Sequence, residues 1–145
     1  MSDEKIVDGK GMILGRVASR IAKMLIQNEH VVLLNADKVL ISGHIDDILE
    51  EYKRKMDLRD KANPEHSPYW SRKPDLFVKR VIRGMLPYKK AKGKKAYKLL
   101  RVYIGIPSEY KDKKYVELDK NKSYDMFERT ISVGEFSKKL GYVRE

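Results

Sequence analysis

The chain contains no cysteine, which excludes disulfides, thiolate metal sites and cysteine nucleophiles in one step. Histidine is scarce, with His30, His44 and His66 as the whole complement. Their separations do not give the paired ligands of an HExxH helix, and no thiolate can complete a set, so neither a metal nor a cofactor is expected. No segment approaches the ~18 consecutive apolar residues of a membrane span, and Met1–Lys10 has no apolar stretch after a basic start. The expectation is a cytoplasmic protein without a membrane partner. Acidic residues are scarce in one region. Positions 51–101 hold five of them against seventeen lysines and arginines, a local excess of +12, while positions 1–50 and 102–145 carry −2 and +1. The net charge of +11 therefore belongs to the middle of the chain. A localised excess of that size is the electrostatic footprint of a polyanion-binding surface.

What is present suffices for a core. A chain of 145 residues is about one domain, able to bury roughly 70% of its unfolded surface. Leu, Ile, Val and Phe number 38 of the 145, above the ~20% below which high charge usually means disorder. Residues 1–145 are therefore read as one domain, with a basic segment over 53–95 and a polar C-terminal region over 108–145.

Periodicity suggests the elements. Lys5-Ile6-Val7-Asp8 is a short strand. Leu14, Val17, Ile21 and Leu25 recur at helical spacing within a helix of about 13–28. Val31-Val32-Leu33-Leu34 is a continuous apolar run, which suits a strand covered on both faces, as in a parallel sheet. Strand, helix and strand together make a βαβ beginning. Asn35-Ala36-Asp37-Lys38 interrupts it and leaves the direction of the next strand, Val39-Leu40-Ile41, open. A second helix is expected from Asp46 to about Arg59, with its acidic residues at the positive N-terminal end. Asn63–Ser71, with two prolines, reads as a loop. Pro74 opens a third helix through Leu86, burying Phe77, Val78, Val81, Ile82 and Met85 and turning Lys79, Arg80 and Arg83 the other way. Pro87 ends it, and the lysine-rich stretch Tyr88–Lys95 is read as a loop. Val102-Tyr103-Ile104 is a late strand, and Ser108–Asp125 a surface loop. Ser132 and Glu135 have capping-box spacing ahead of a last helix that Gly141 stops.

The middle segment is where binding is expected. Lys79, Arg80 and Arg83, the pair Arg72-Lys73 and the lysines at 89, 90, 92, 94 and 95 would line one flank and displace counterions from nucleic acid. Tyr69, Trp70 and Tyr88 lie among these charges and could stack on exposed bases, although a tryptophan and a tyrosine in a loop equally often pack beneath it.

A competing motif sits near the N-terminus. Gly9, Gly11 and Gly15 fall between a strand and a helix, the context a dinucleotide site requires. No Walker lysine follows Gly15, the second strand ends in Asn35 rather than an acidic residue, and no hydride or proton relay accompanies the glycines. The alternatives are a nucleotide-binding enzyme built on residues 9–15, or glycines that only allow tight turning and close packing.

Three ordered segments resemble one family. GMILGRVAS, from Gly11 to Ser19, is similar to the first-helix signature of the universal L-thirteen family of large-subunit ribosomal proteins, and LNADKVLISG, ending at Gly43, is similar to its second-strand signature. RKPDLFVKRVIRGMLPYKKAKGKKAYKLLRVYIG, Arg72 to Gly105, follows the family's order through its Arg83-Gly84-Met85-Leu86-Pro87 core and its Leu99-Leu100-Arg101-Val102-Tyr103 ending. The resemblance spans roughly 5–107 and is to an archaeal-type member. It implies a three-layer α/β/α domain with a small, mostly parallel four-stranded sheet, and a structural, non-enzymatic role in the large ribosomal subunit in the cytoplasm. It also implies large-subunit rRNA and neighbouring ribosomal proteins as partners, with no small-molecule substrate. On this reading Lys53, Arg54, Arg59, Tyr69, Trp70, Arg72, Lys73, Lys79, Arg80, Arg83, Lys89, Lys90, Lys92, Lys94 and Lys95 contact the RNA, the cations mainly through phosphates and sugars, which position RNA without reading its sequence.

Overall fold

The computed structural model describes residues 3–118 and 129–144. Its centre is the strand Val31–Leu34 (β2), every residue of which is buried. Lys5–Asp8 (β1) pairs with it in parallel on one side and Leu100–Val102 (β4) in parallel on the other. Side chains of a strand alternate between faces, so a wholly apolar strand requires cover on both. Val31 and Leu33 meet the helix Leu14–Ile26 (α1), with Val17, Ile21 and Leu25 in the same cluster. Val78 and Ile82 of the helix Pro74–Gly84 (α3) and Ala96 of the helix Ala91–Lys98 (α4) complete this cover. Val32 and Leu34 face the other way, where Ile6 and the rings of Tyr103, Tyr110 and Tyr115 close over them.

That second face corrects two expectations. The resemblance implies helices on both sides, but among the described residues those packed on Val32 and Leu34 are Ile6 and tyrosines, with Tyr110 from a short 3-10 turn, Ser108–Tyr110, and Tyr115 from the chain beyond it. The stretch read as a surface loop thus supplies a core residue, Tyr110, 3% exposed. The amide of Val116 donates to the carbonyl of Ile6 at 2.7 Å, tying this stretch to the edge of β1. Residues 119–125 of the expected loop lie outside the described residues.

The sheet has three strands among the described residues, not the implied four. Asn35 takes a left-handed conformation with φ of 55°. Its side-chain amide donates to Asp8 Oδ1 at 2.8 Å and its backbone amide to the Gly105 carbonyl at 3.0 Å. Asparagine tolerates this region better than most residues because its short polar side chain can bond locally. The 3-10 turn Ala36–Lys38 follows and carries the chain out of the sheet. Leu40–Ser42 (β3) then pairs antiparallel with Thr130–Ser132 (β5) as a separate two-stranded unit. The helix Ile45–Asp57 (α2) and the helix Val133–Lys139 (α5) pack around that unit through Tyr52, Ile131, Phe136 and Leu140.

The last helix follows its sequence signals. Ser132 Oγ accepts from the Glu135 amide at 3.2 Å, and Gly141 takes φ of +100°. The Tyr142 and Gly141 amides return to the Ser137 and Lys138 carbonyls, the double closure of a Schellman stop.

Three further differences concern the basic segment and the strand after it. The stretch read as a lysine loop is largely helical, since α4 begins at Ala91. It can lie against the preceding turn because Gly93 has no side chain: a Cβ there would overlap the Pro87 carbonyl and stand 2.8 Å from the Tyr88 amide nitrogen. α3 ends at Gly84, so Met85 points outward at 42% exposure while Leu86 takes the buried place. The late strand starts at Leu100, two residues before its expected position, because Leu100 pairs with Val31.

Gly93→Ala tests this packing. The methyl has no space without displacing α4, and overpacking of this kind costs about 1–3 kcal/mol. Urea unfolding should show a lower midpoint with an unchanged slope; an unaltered midpoint would mean that α4 is not seated on the Pro87 turn.

Candidate nucleic-acid interface

Burial of Val78 and Ile82 fixes the roll of α3 and leaves Lys79, Arg80 and Arg83 on the flank away from the sheet. They do not stand free in solvent. The Arg80 guanidinium lies 3.6 Å from the centroid of the Trp70 ring and donates through Nη1 to the Tyr69 carbonyl at 2.7 Å. Lys79 Nζ is 5.2 Å from the Tyr97 ring, and the Arg83 guanidinium 5.0 Å from Tyr88. Tyr88 and Tyr97 meet edge to face at 5.5 Å, and Lys55 approaches Trp70 at 5.7 Å. Each contact of this type contributes about 0.5–2 kcal/mol and leaves the charge intact. The cations are held in place before any partner arrives, which lowers the ordering cost of binding.

The two residues of the Tyr69-Trp70 pair have different fates. Trp70 packs edge-on against Tyr52 at 5.7 Å, and Tyr52 in turn meets Phe77 at 5.4 Å and Phe136 at 5.3 Å. The Tyr52 hydroxyl donates to the Ser71 carbonyl at 2.9 Å, tying this loop to α2. Trp70 is thus a partly buried member of the protein's aromatic cluster, and its indole nitrogen is buried without a hydrogen-bond partner among the described residues. Tyr69 points outward and is 83% exposed. Burial raises the Tyr52 hydroxyl above the ordinary tyrosine range, with the Arg80 charge opposing it. Burial raises Tyr97 likewise, against the Arg83 charge.

Lys89, Lys90, Lys92, Lys94 and Lys95 are all exposed, the first two just before α4, Lys92 in its first turn and Lys95 in its last. None is ion-paired with a carboxylate among the described residues, and the first turn of α4 holds no acidic residue. Cations at a helix N-terminus oppose the macrodipole, and like charges three or four residues apart repel. The packed side of α4 consists of Gly93 and Ala96, which keeps the lysines outward. Elsewhere the expected set is less uniform. Arg59, Arg72 and Lys73 gather around one crevice with Tyr69, whereas Arg54 is drawn to Glu50 at 3.5 Å and Lys53 stands exposed beside it. Sequence reasoning omitted Lys55 and Tyr97. Lys55 pairs with Glu51 four residues earlier at 2.9 Å, and Tyr97 carries no local signal beyond its place among the lysines.

The glycine turn offers no cradle for a pyrophosphate. The amides of Gly9, Lys10, Gly11 and Met12 donate to the Leu34 carbonyl, Asp8 Oδ1, the Lys38 carbonyl and the Gly9 carbonyl. A Cβ on Gly9 would stand 2.7 Å from Val39 Cγ2, so this glycine serves close packing. Asp37 Oδ1 accepts from the Gly105 amide rather than facing a ribose site. Among the described residues no group of three or more His, Asp or Glu could hold a metal, and no helix is long and apolar enough to cross a membrane.

Comparison with known families matches residues 2–109 to the family model described as ribosomal protein L13. The large ribosomal subunit protein uL13 of Methanosphaera stadtmanae is 39% identical over 137 residues, covering 94% of this chain and 96% of that protein. The protein of the same name from Methanococcoides burtonii is 40% identical with the same coverage. That of Archaeoglobus fulgidus is 35% identical over 142 residues, 97% of this chain and 89% of its own length.

The tie between α2 and the Trp70 loop is testable through Tyr52→Phe, which leaves the ring and removes the bond to the Ser71 carbonyl. Unfolding free energy should drop by about 1 kcal/mol, with a change in emission from the single tryptophan. Folded Tyr52 and Tyr97 hold their protons more firmly than the unfolded chain does. Their contribution is therefore complete below about pH 10 and is lost as pH rises through the raised values. Stability measured across that window should fall more steeply for the wild type than for Tyr52→Phe; parallel curves would contradict this assignment.

Proposed function

Because the chain belongs to the ribosomal protein L13 family, we propose that its braced cations hold folded large-subunit rRNA. As a member of this family it is a structural constituent of the large ribosomal subunit and not an enzyme. Its partners are rRNA and neighbouring ribosomal proteins, and its place of action is the ribosome. The observation that carries the reading is the group of five exposed lysines from Lys89 to Lys95, on α4 and the turn before it, with no carboxylate paired to them among the described residues. Lys90 and Lys92 at the head of α4 oppose the helix dipole and the five charges repel one another, and a phosphate backbone relieves both costs at once. Lys79, Arg80 and Arg83 extend the same cationic flank along α3, while Arg59, Arg72 and Lys73 extend it past the Trp70 loop.

The mode of binding follows from the contact types. Lysines meet phosphates as point charges, so affinity depends on salt more than on sequence. If about six cations touch phosphates, affinity for rRNA should fall on the order of a thousandfold between 50 and 200 mM salt.

Replacing Lys89, Lys90, Lys92, Lys94 and Lys95 together by glutamine should make the slope of log affinity against log salt shallower by about three to five. The variant should also be lost from large subunits sedimented at moderate salt. A wild-type slope in the variant would sink the assignment of α4 to the RNA.

A further inference from the structure

Three large apolar side chains that remain exposed, Leu58 at 54%, Tyr69 at 83% and Leu76 at 44%, line one crevice between the end of α2 and the start of α3. The loop that carries Tyr69 is braced from within. The Asp60 amide donates to Ser67 Oγ at 2.8 Å, and Asp60 Oδ1 accepts from the Ala62 and Asn63 amides at 3.1 and 3.2 Å. Pro64 and Pro68 restrict the backbone further. From the opposite side Arg80 Nη1 holds the Tyr69 carbonyl at 2.7 Å. The backbone of Tyr69 is therefore fixed while its ring is presented to solvent. Trp70, next in the chain, turns into the aromatic cluster and braces the loop from beneath.

The rim of the crevice is positive. Arg59, Arg72 and Lys73 surround it, and none of them is ion-paired with a carboxylate among the described residues. A free ring face beside an apolar floor and three cations fits an occupant that joins a flat apolar face to negative charge. An unstacked nucleotide has both. A basic protein segment would be repelled by the rim, and a neutral one would leave the cations without partners. A paired duplex keeps its bases stacked inside and could reach only the rim.

Resting on the reading of this chain as an rRNA-binding protein, we propose that the crevice takes one unpaired nucleotide of the rRNA. The base stacks on Tyr69 and the flanking phosphates lie against Arg59, Arg72 and Lys73. This contact adds recognition of RNA shape, a bulge or a loop, to the sequence-independent grip of the α4 lysines.

The test uses the full chain with purified archaeal large-subunit rRNA and, separately, a fully paired RNA duplex. Tyr69→Ala should bind the rRNA about tenfold to a hundredfold more weakly, with the salt slope unchanged because no cation is removed. Tyr69→Phe should remain within about twofold of the wild type, and all three proteins should bind the duplex alike. The exposure of Tyr69 makes these variants safe for folding, which the urea midpoint verifies. A Tyr69→Ala protein that binds rRNA as the wild type does overturns the inference, as does an equal loss on the duplex or a Phe variant as weak as Ala. Unchanged rRNA affinity with poorer incorporation into large subunits would assign the crevice to a neighbouring protein instead. If the wild type fails to bind rRNA at all, the reading under Proposed function falls and takes this one with it. If the wild type binds and the five-lysine variant loses slope while Tyr69→Ala is normal, only the nucleotide crevice is refuted.

Discussion

The fold depends on the requirement that Val31–Leu34 be dry on both faces. A four-residue strand of valine and leucine gains about 1.5–3 kcal/mol for each side chain fully buried, and gains it only if something apolar meets each side. Val31 and Leu33 recruit α1, α3 and α4, while Val32 and Leu34 recruit Ile6 and the tyrosines that follow β4. Covering the first face sets the roll of α3, since Val78 and Ile82 must point inward. Lys79, Arg80 and Arg83 then have nowhere to go but the outer flank. The position of the cationic surface is thus a consequence of how the sheet is sealed.

Placing so many like charges on one flank is costly, and the structure offsets the cost with aromatic rings rather than carboxylates. Trp70 lies under Arg80, Tyr97 under Lys79 and Tyr88 under Arg83. A carboxylate would have cancelled the charge a polyanion needs, whereas a ring steadies the cation and leaves its charge available. Where carboxylates do pair with cations, Glu50 with Arg54 and Glu51 with Lys55 on α2 and Glu29 with Lys5 and Glu4 with Arg101 beside the parallel sheet, the five lysines from Lys89 to Lys95 take no part among the described residues. Among the described residues those lysines have neither ring nor carboxylate, and that makes them the strongest claimants to an external anion.

Several elements were legible in the residues alone, each for a local reason. β1, β2 and α1 follow from short-range patterning. The capping-box spacing of Ser132 and Glu135 forms as a hydrogen bond, and Gly141 takes the left-handed conformation that ends α5. The misreadings also have identifiable causes. Tyr88–Lys95 read as a loop because five lysines resemble a solvated stretch, and nothing local reveals that Gly93 must pass under the Pro87 carbonyl. Met85 kept the periodicity of α3 but fell beyond its end. Tyr110, in a polar and charged stretch, gave no sign that it closes the second face of the sheet.

The residues by themselves determined the concentration of positive charge, the amphipathic face of each principal helix and the buried character of β2, because these depend on neighbours a few positions apart along the chain. Tertiary structure alone decided that β3 leaves the parallel sheet for β5, that Trp70 turns inward while Tyr69 faces out, and which ring lies beneath which cation. Those outcomes rest on contacts between distant positions, Tyr52 with Phe136, Lys79 with Tyr97, Ile41 with Ile131. Such contacts form only when the sealing of the central strand has brought their elements together, so no window of sequence contains both partners and the geometry that joins them.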